Sequence, residues 1–543
     1  MKHAMTITPH EMRWVLKVTL VALLLANLPT IVGFFAAPHG TVFSGVSSIA
    51  PGDLNVYLSY LEQIRHGHLV FKDLFTAEAQ VANVINPFWA MLGLLGSVLR
   101  IAPLACYYLG RAVFGVLLCI VLYRFAAYFF DDIVRRRTAF MLAVFASGIG
   151  AWAEPFLRLM DRSVEAMPMD LWVSEAFTFL SLKHSPHFLA VSALIVGVVW
   201  FMIRSAERSS MRDAVYAGCC MLALFSFHPF HVLSLAPVTI AMLVTVFVVR
   251  RPQFWRQCGR YAVAWAIASP AILYQALLIL YDPLAKGRAA ENILVTPSIG
   301  YTLLGYGFLL VGAIMGSVYL IRTKQLRFQL LVAWALAHGL SIYAPVFFNR
   351  RVTHGLNIAL AMCAAAAATF VFASIRRIRL PELFRVAIIS IIAFLTLGLS
   401  NVWVLAQDLS FYLNEGRILP SLFYLTDDEN GAFAWLERNG NDSTVVLCGT
   451  IMGNFVPGRS GRRVVVGHNV ETINISEKLK DVKKYFTPDT DDAWRQEYLV
   501  DNLVTHVLVS SREQRIGPFN TEKVAYLVPV YESPTVTIYQ VSP

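Results

Sequence analysis

WVLKVTLVALLLANLPTIVGFF, residues 14–35, is an apolar run broken only by Lys17 near its start and by Thr19, Asn27 and Thr30. A helix needs about 20 mostly apolar residues to cross a bilayer's hydrocarbon core, and this run supplies them. It is longer than the apolar region of a secretory signal peptide and has no small-residue cleavage site close behind it, so it reads as an uncleaved first span. Comparable stretches follow near residues 104–128, 138–155, 187–203, 213–230, 231–249, 261–281, 300–321, 328–348, 355–374 and 384–405. The expected fold is an α-helical polytopic membrane protein with about eleven spans, followed by an α/β domain outside the bilayer.

Composition points the same way. Of 543 residues, 57% are hydrophobic and only 15% charged, with a mean hydropathy of +0.58. Ordinary soluble domains carry roughly 25% charge. The formal charge of +10 would suit a nucleic-acid binder, but its placement argues against one. From Ala406 onward 13 Lys+Arg stand against 18 Asp+Glu, so the tail is acidic. The excess base lies between apolar runs, where it sets orientation. Of the cysteines at 106, 119, 219, 220, 258, 363 and 448, only Cys448 lies in the tail, which rules out a disulfide within it. No CxxC spacing suggests zinc or redox work.

One apolar segment, Asn83–Leu99, is awkward. Counted as a span, it would put Asp131-Asp132-Ile133-Val134-Arg135-Arg136-Arg137 outside and invert everything after it. Treated as a helix in the outer interface, it leaves six short inner segments rich in base. These hold Lys2, Arg13, Lys17; Arg135–Arg137; Arg204, Arg208, Arg212; Arg250, Arg251, Arg256, Arg260; Arg322, Lys324, Arg327; and Arg376, Arg377, Arg379, Arg385. The longer outer connections hold only about ten basic residues, so the positive-inside rule gives N-terminus in and C-terminus out. The expected location is a bacterial inner (plasma) membrane, in the cell envelope.

The expected division is a membrane bundle over 1–405, with a large first outer loop at 37–103, and an extracytoplasmic α/β domain over 406–543. In the tail, Thr426-Asp427-Asp428-Glu429 is a capping-box pattern opening a helix to about Arg438. Runs at 444–447, 463–466, 506–510, 524–530 and 535–541 are β-rich, and Ile475–Phe486 has the pattern of an amphipathic helix.

Ionisable residues near membrane depth are costly and usually have a reason. With this orientation they gather on the outer face. The first outer loop carries Pro51-Gly52-Asp53-Leu54-Asn55, then Asp73 and Glu78. The second carries Glu154, Asp161, Asp170, Glu175, His184 and His187. Further on come His228-Pro229-Phe230-His231, Asp282 with Lys286 and Arg288, and Asn349-Arg350-Arg351-Val352-Thr353-His354-Gly355.

This pattern resembles the GT-C superfamily of membrane glycosyltransferases, which includes protein O-mannosyltransferases, aminoarabinose transferases and the catalytic subunit of oligosaccharyltransferase. The shared features are a long first outer loop with an Asp just past the first span, an interfacial apolar helix, an acidic second outer loop and a soluble domain after the last span. The resemblance implies transfer of a sugar from a polyprenyl-phosphate carrier to an acceptor glycan, lipid or protein on the extracytoplasmic side. Such chemistry needs a base for the acceptor hydroxyl, assigned to Asp53, and cations for the departing phosphate, assigned to Arg351 with Arg350. Asp170, Glu175, His187, His228 and His231 are further site candidates.

Each residue also has a plainer reading. Asp53 could cap the helix that follows it. Asp170 and Glu175 could be solvated loop charges, the histidines interfacial polar groups, and the arginines contacts to lipid headgroups. The cofactor is unknown, though the acids of the second loop are compatible with a divalent metal. The rival function is a transporter or flippase of a lipid-linked or anionic substrate. Against it, paired Gly- or Pro-broken spans and inverted repeats are not evident in the sequence.

Overall fold

A computed structural model describes residues 7–160, 167–376, 381–414, 422–520 and 524–542; Lys2, Asp161, Arg377 and Arg379 of the charge pattern lie outside these. The first half of the chain forms α1 (Pro9–Phe35), β1 (Thr41–Phe43), α2 (Asp53–Arg65), α3 (Pro87–Val98), α4 (Pro103–Phe129), α5 (Ile133–Phe145), α6 (Gly150–Leu159), α7 (Thr178–His184), α8 (Pro186–Arg208), α9 (Met211–Phe227), α10 (Val232–Val249) and α11 (Phe254–Tyr281). Then come α12 (Pro283–Glu291), α13 (Ile299–Arg322), α14 (Leu326–Ser341), α15 (Leu356–Arg376), α16 (Glu382–Leu397) and α17 (Leu399–Asn414). The tail folds as β2 (Tyr424–Thr426), α18 (Asp427–Asn439), β3 (Val445–Leu447), α19 (Thr450–Ser460), β4 (Arg463–Val464), α20 (Ile475–Phe486), α21 (Asp492–Asp501), β5 (His506–Ser510), α22 (Ser511–Ile516), β6 (Leu527–Glu532) and β7 (Val536–Val541).

Every expected span has helix at its place. Among the described residues seven helices are long and apolar enough to cross a membrane, or eight if the bent pair α16–α17 is one span. The chain is therefore a mostly helical, multi-pass membrane protein. The helix expected over 328–348 stops at Ser341, because Pro345 lacks the N–H that would continue it and restricts the residue before it. Helix α3 has 12 residues. At 1.5 Å per residue that is about 18 Å, well short of the roughly 30 Å hydrocarbon core. Asn86 caps it by accepting from the Trp89 N–H, and Phe88, Trp89 and Leu92 are buried while Leu94, Leu95 and Val98 are exposed.

The chain divides into two compact units. The first comprises residues 1–28, 110–275 and 294–407. Its closest helix pair is α13 against α15, where Gly312 and Gly316 form a GxxxG face opposite the small residues Cys363–Ala367. A Cβ on Gly316 would stand 1.8 Å from the Cys363 carbonyl oxygen, and one on Gly312 would stand 3.2 Å from Ala364 Cβ. Without a hydrophobic force between helices in lipid, close backbone approach of this sort supplies the association.

Three of the unit's helices are broken, contrary to the expectation from sequence. The span α5–α6 is interrupted at residues 146–149. Helix α13 kinks at Gly307, where φ is +44°, and α16 meets α17 at 61°. The breaks meet. The Ile149 N–H donates to the Leu304 carbonyl (2.9 Å) and the Ser147 N–H to the Leu397 carbonyl (2.8 Å). The Ala151 N–H donates to Ser400 Oγ (3.0 Å), and Asn401 Nδ2 donates to the Phe145 carbonyl (2.7 Å).

The second unit comprises residues 29–109, 276–293 and 408–543. Strand β1 from the first loop pairs antiparallel with β2 of the tail, Thr41 opposite Thr426 and Phe43 opposite Tyr424. A five-stranded sheet has the order β4-β3-β5-β7-β6, parallel between β4, β3 and β5 and antiparallel beyond. Its core packs Val445, Leu447, Val507 and Val509 against Tyr485, Phe486 and Leu499. The capping box opening α18 forms as expected, with both reciprocal bonds present, and α20 spans the expected twelve residues.

The α13–α15 contact yields a test. Ala is favoured over Gly in a helix by about 1 kcal/mol, yet Gly316→Ala should lower the thermal midpoint in detergent by several degrees, because backbone must move to admit the methyl. Gly259→Ala on α11, whose Cβ would meet nothing within 4 Å, should leave the midpoint unchanged or raise it. Equal midpoints for the two variants would refute the packing account.

Candidate functional site

In the second unit the polar groups converge on the start of α2. Gly52 is the N-cap residue and Asp53 the first helical residue. The Asp53 side chain is turned toward a loop of the tail, where His468 Nε2 donates to its Oδ1 at 3.1 Å. Tyr57, one turn along α2, donates its hydroxyl to Oδ2 at 3.4 Å. His468 Nδ1 in turn accepts from the N–H groups of Val470 (3.2 Å) and Glu471 (3.3 Å). The Asp53 side chain is 30% exposed and that of His468 10%, so the carboxylate faces outward with the imidazole behind it.

Close backbone approach makes this possible. Gly458 of α19 lies against α2, where a Cβ would stand 2.8 Å from the Asn55 carbonyl oxygen, and a Cβ on Gly52 would come 2.8 Å from His468 Cδ2. Asn55 Nδ2 donates to Asn454 Oδ1 at 2.7 Å across the same seam. A second polar group stands beside it. Arg288 of α12 lies between Asp73 (3.7 Å) and Glu471 (3.4 Å). Burial pushes the Asp73 carboxyl above its ordinary value, with the Arg288 charge opposing.

In the first unit, Asp170 is fully buried on a short 3₁₀ turn. Its Oδ2 accepts from the N–H groups of Gly148 (3.0 Å) and Gly150 (3.1 Å), at the break between α5 and α6. Burial pushes its carboxyl up to about 7, against the pull of bonds from Ser400 and the glycine N–H groups. Glu175 is also buried, but there the charges of Arg350, His354 and Arg351 outweigh burial and hold the carboxyl below its ordinary value.

Arg350 and Arg351 lie on a 3₁₀ turn, Asn349–Thr353, and not on a helix end. They diverge. Arg350 reaches Glu175 at 3.5 Å with its guanidinium 5.1 Å from the centre of the Trp172 ring, while Arg351 lies 5.0 Å over the Phe230 ring. His228 and His231 stack at 4.9 Å, and both face His354, at 5.4 and 5.6 Å between ring centres. His187 stands 6.1 Å from His228. The structure thus brings the buried Glu175, His187, His228 and His231 together with the partly buried Arg350 and Arg351, and gives Asp170 to the helix break.

Three participants were not singled out from sequence: His468 and Asn454 of the tail, and His354 as a partner of the two earlier histidines. His354 lies within a stretch already quoted for its arginines. The only trace of His468 is its place after Gly467, a glycine that a tight backbone crossing against Gly453 requires. Among the described residues no group of three His, Cys, Asp or Glu has the arrangement of a metal site.

The chain shares its fold with solved membrane glycosyltransferases. Among solved structures it is similar to the oligosaccharyltransferase of Archaeoglobus fulgidus tethered with an acceptor peptide, with a TM-score of 0.57 at 15% identity over 98% of this chain and 74% of that one. The AglB oligosaccharyltransferase of the same organism, in complex with an inhibitory peptide and a dolichol-phosphate, gives 0.56 at 14% identity over 99% and 75%. The arabinofuranosyltransferase AftD from Mycobacteria gives 0.51 at 16% identity over 98% of this chain and 42% of that one. No family model matches the sequence, and no curated protein matches it.

The environment of Asp170 makes a pH-dependent prediction. Its folded pKa of about 7 lies above the unfolded value of roughly 3.9. The native state therefore holds the proton more tightly, and stability falls as pH rises from about 4 to 7. Asp170→Asn can accept the same two N–H bonds and does not titrate. Its thermal midpoint should exceed that of the wild type at pH 8, with the gap closing toward pH 4.5. A variant less stable at pH 8 than at pH 4.5, relative to the wild type, would show that the ionised carboxylate is the form the fold requires.

Proposed function

We propose that this chain is a glycosyltransferase that moves a hexosyl or pentosyl group from a polyprenyl-phosphate carrier to an acceptor on the extracytoplasmic side of the membrane. The observation that carries the reading is a fold shared over 98% of the chain with an oligosaccharyltransferase. A second such structure holds a dolichol-phosphate, of the carrier class that the resemblance implies. In this reading the chain crosses a bacterial inner membrane eleven times, N-terminus in and C-terminus out, with residues 406–543 outside.

Asp53 serves as general base. Its outward-facing carboxylate takes the proton of the acceptor nucleophile as that atom bonds to the anomeric carbon. The bond from this carbon to the phosphate oxygen breaks, and its electron pair stays on the phosphate. Arg351, with Arg350, receives that charge. A guanidinium suits this task because its planar fork can hold two phosphate oxygens at once and it is always protonated.

Release of polyprenyl phosphate by the purified protein, from undecaprenyl- and dolichyl-phosphate mannose, glucose and arabinose, tests the reading. Asp53→Asn should remain folded and lose turnover by about 10²–10⁴-fold, as expected for lost acid–base catalysis. Arg351→Lys should raise the donor KM more than Arg350→Lys, whose partner Glu175 still accepts a lysine. Full turnover by Asp53→Asn, or equal small effects of the two lysines, removes the corresponding role. The topology has its own measurement: cysteines placed at 131–137 should react only from inside and those at 440–520 only from outside. Outside labelling of 131–137 would reverse the assigned face.

A further inference from the structure

We infer that His468 is the positioning residue for Asp53: its Nε2–H fixes the direction of the Asp53 carboxylate and keeps its outer oxygen turned to the substrate side. The inference rests on the reading of Asp53 as base and adds to it a residue 415 positions away that contacts no reacting atom.

Four observations carry it. The imidazole has one available proton, and the N–H groups of Val470 and Glu471 point at Nδ1, so the proton must sit on Nε2, the atom that faces Asp53. The ring is held from the side by Phe75, 5.9 Å away at 65°. The turn carrying it is pinned by Gly467, whose N–H donates to Thr472 Oγ1 at 3.0 Å, while Thr472 Oγ1 donates to the Phe75 carbonyl at 2.9 Å. Finally, the glycine before Asp53 is explained by this ring. Gly52 has φ −72° and ψ −31°, values open to any residue, so backbone freedom does not require a glycine. What requires it is the His468 Cδ2 atom, 2.8 Å from where a Cβ would stand.

The arrangement places an imidazole N–H on one oxygen of a carboxylate that is 30% exposed, with the Tyr57 hydroxyl on the other. The charged and titratable groups facing the pair are Tyr57 on α2, Asp73 and Glu471, with Arg288 of α12 between the last two. Loss of a hydrogen bond to an ionised carboxylate raises its affinity for protons, so a base deprived of His468 should be silenced at a higher pH than in the wild type.

Two measurements test this, one with turnover and one without. In the donor-release assay, His468→Ala should lower kcat about 10–100-fold, the size of loss expected when a hydrogen bond to a charged group is removed. KM should stay within about twofold, and the acid limb of the pH–rate profile should move upward. His468→Gln, whose amide N–H can take the place of Nε2–H, should recover most of the rate and the profile. Gly52→Ala, which displaces the ring, should behave as His468→Ala. Labelling of Asp53 by a water-soluble carbodiimide, followed by mass spectrometry across pH, needs no turnover. Its midpoint should rise in His468→Ala and return in His468→Gln. If Asp53→Asn is inactive while His468→Ala keeps the wild-type rate, profile and labelling, the inference is overturned and the base stands. If Asp53→Asn keeps full turnover while the labelling midpoint still moves, the base reading fails and the contact stands. A His468→Gln variant that fails as badly as His468→Ala, with an unmoved midpoint and a lowered thermal midpoint, reduces His468 to packing and also overturns the inference.

Discussion

Backbone polar groups that leave a helix at membrane depth have no water to turn to, and each one left unpaired costs several kcal/mol. The first unit is built around this constraint. Its α5–α6 break, the kink of α13 and the α16–α17 bend expose N–H and carbonyl groups that no single helix can satisfy. Bringing the three breaks to one place lets them satisfy one another, through Ile149 and Leu304, Ser147 and Leu397, Ala151 and Ser400. The remaining N–H groups, those of Gly148 and Gly150, need an acceptor from elsewhere, and Asp170 provides it. A carboxylate buried for this purpose is held near the form that burial favours, which is why its proton affinity is raised. Gly148 and Gly305 are small for the same reason: a Cβ on either would lie within 2.4 Å of a neighbouring atom.

The second unit solves a different problem by a related means. Helix α2 lies against α19 with almost no side-chain layer between them, because Gly458 admits the Asn55 backbone. That contact, the β1–β2 pairing and the salt link through Arg288 gather three remote segments of chain. Asp53 therefore meets Tyr57 of its own helix and His468 of the loop after β4, the second far from it in sequence.

This distance separates what was legible in the sequence from what was not. Apolar runs place helices because hydrophobicity is a local property, and helix forms at each of them, though seven or eight of these helices are long and apolar enough to span. The capping box at Thr426 and the amphipathic pattern of Ile475–Phe486 are likewise local, and both elements form where expected. The end of α14 was misplaced because apolarity continued past Pro345, and the proline decides helix length there. The breaks were missed because Gly148, Gly307 and Gly398 are unremarkable one at a time and become breaks only through tertiary bonds. Asp53 stood out by chemistry and position. His468 could not, since nothing in a polar loop of the tail announces a partner 415 residues earlier. The 3₁₀ turn that carries the arginine pair sets Arg350 beside Trp172 and Glu175 and Arg351 over Phe230, and no local pattern announces ring partners that far away in the chain.

The broken helices bear on the rival reading as a transporter, since discontinuous spans mark transport sites when half-helix ends are left open to a substrate. An anionic cargo would seek a helix N-terminus with unpaired N–H groups and a positive dipole end. The N-terminus at the α5–α6 break is that of α6, and its first N–H groups already point at a carboxylate and at a serine hydroxyl from the same unit. The Gly148 carbonyl, on the other side of the break, accepts from Ser400 at 3.4 Å. A transported ion would have to displace these internal partners, including the buried Asp170 side chain. At the α5–α6 break, among the described residues, the half-helix end is thus occupied from within its own unit. The Asp53 carboxylate, by contrast, is 30% exposed, with one oxygen engaged by His468 and the other by Tyr57.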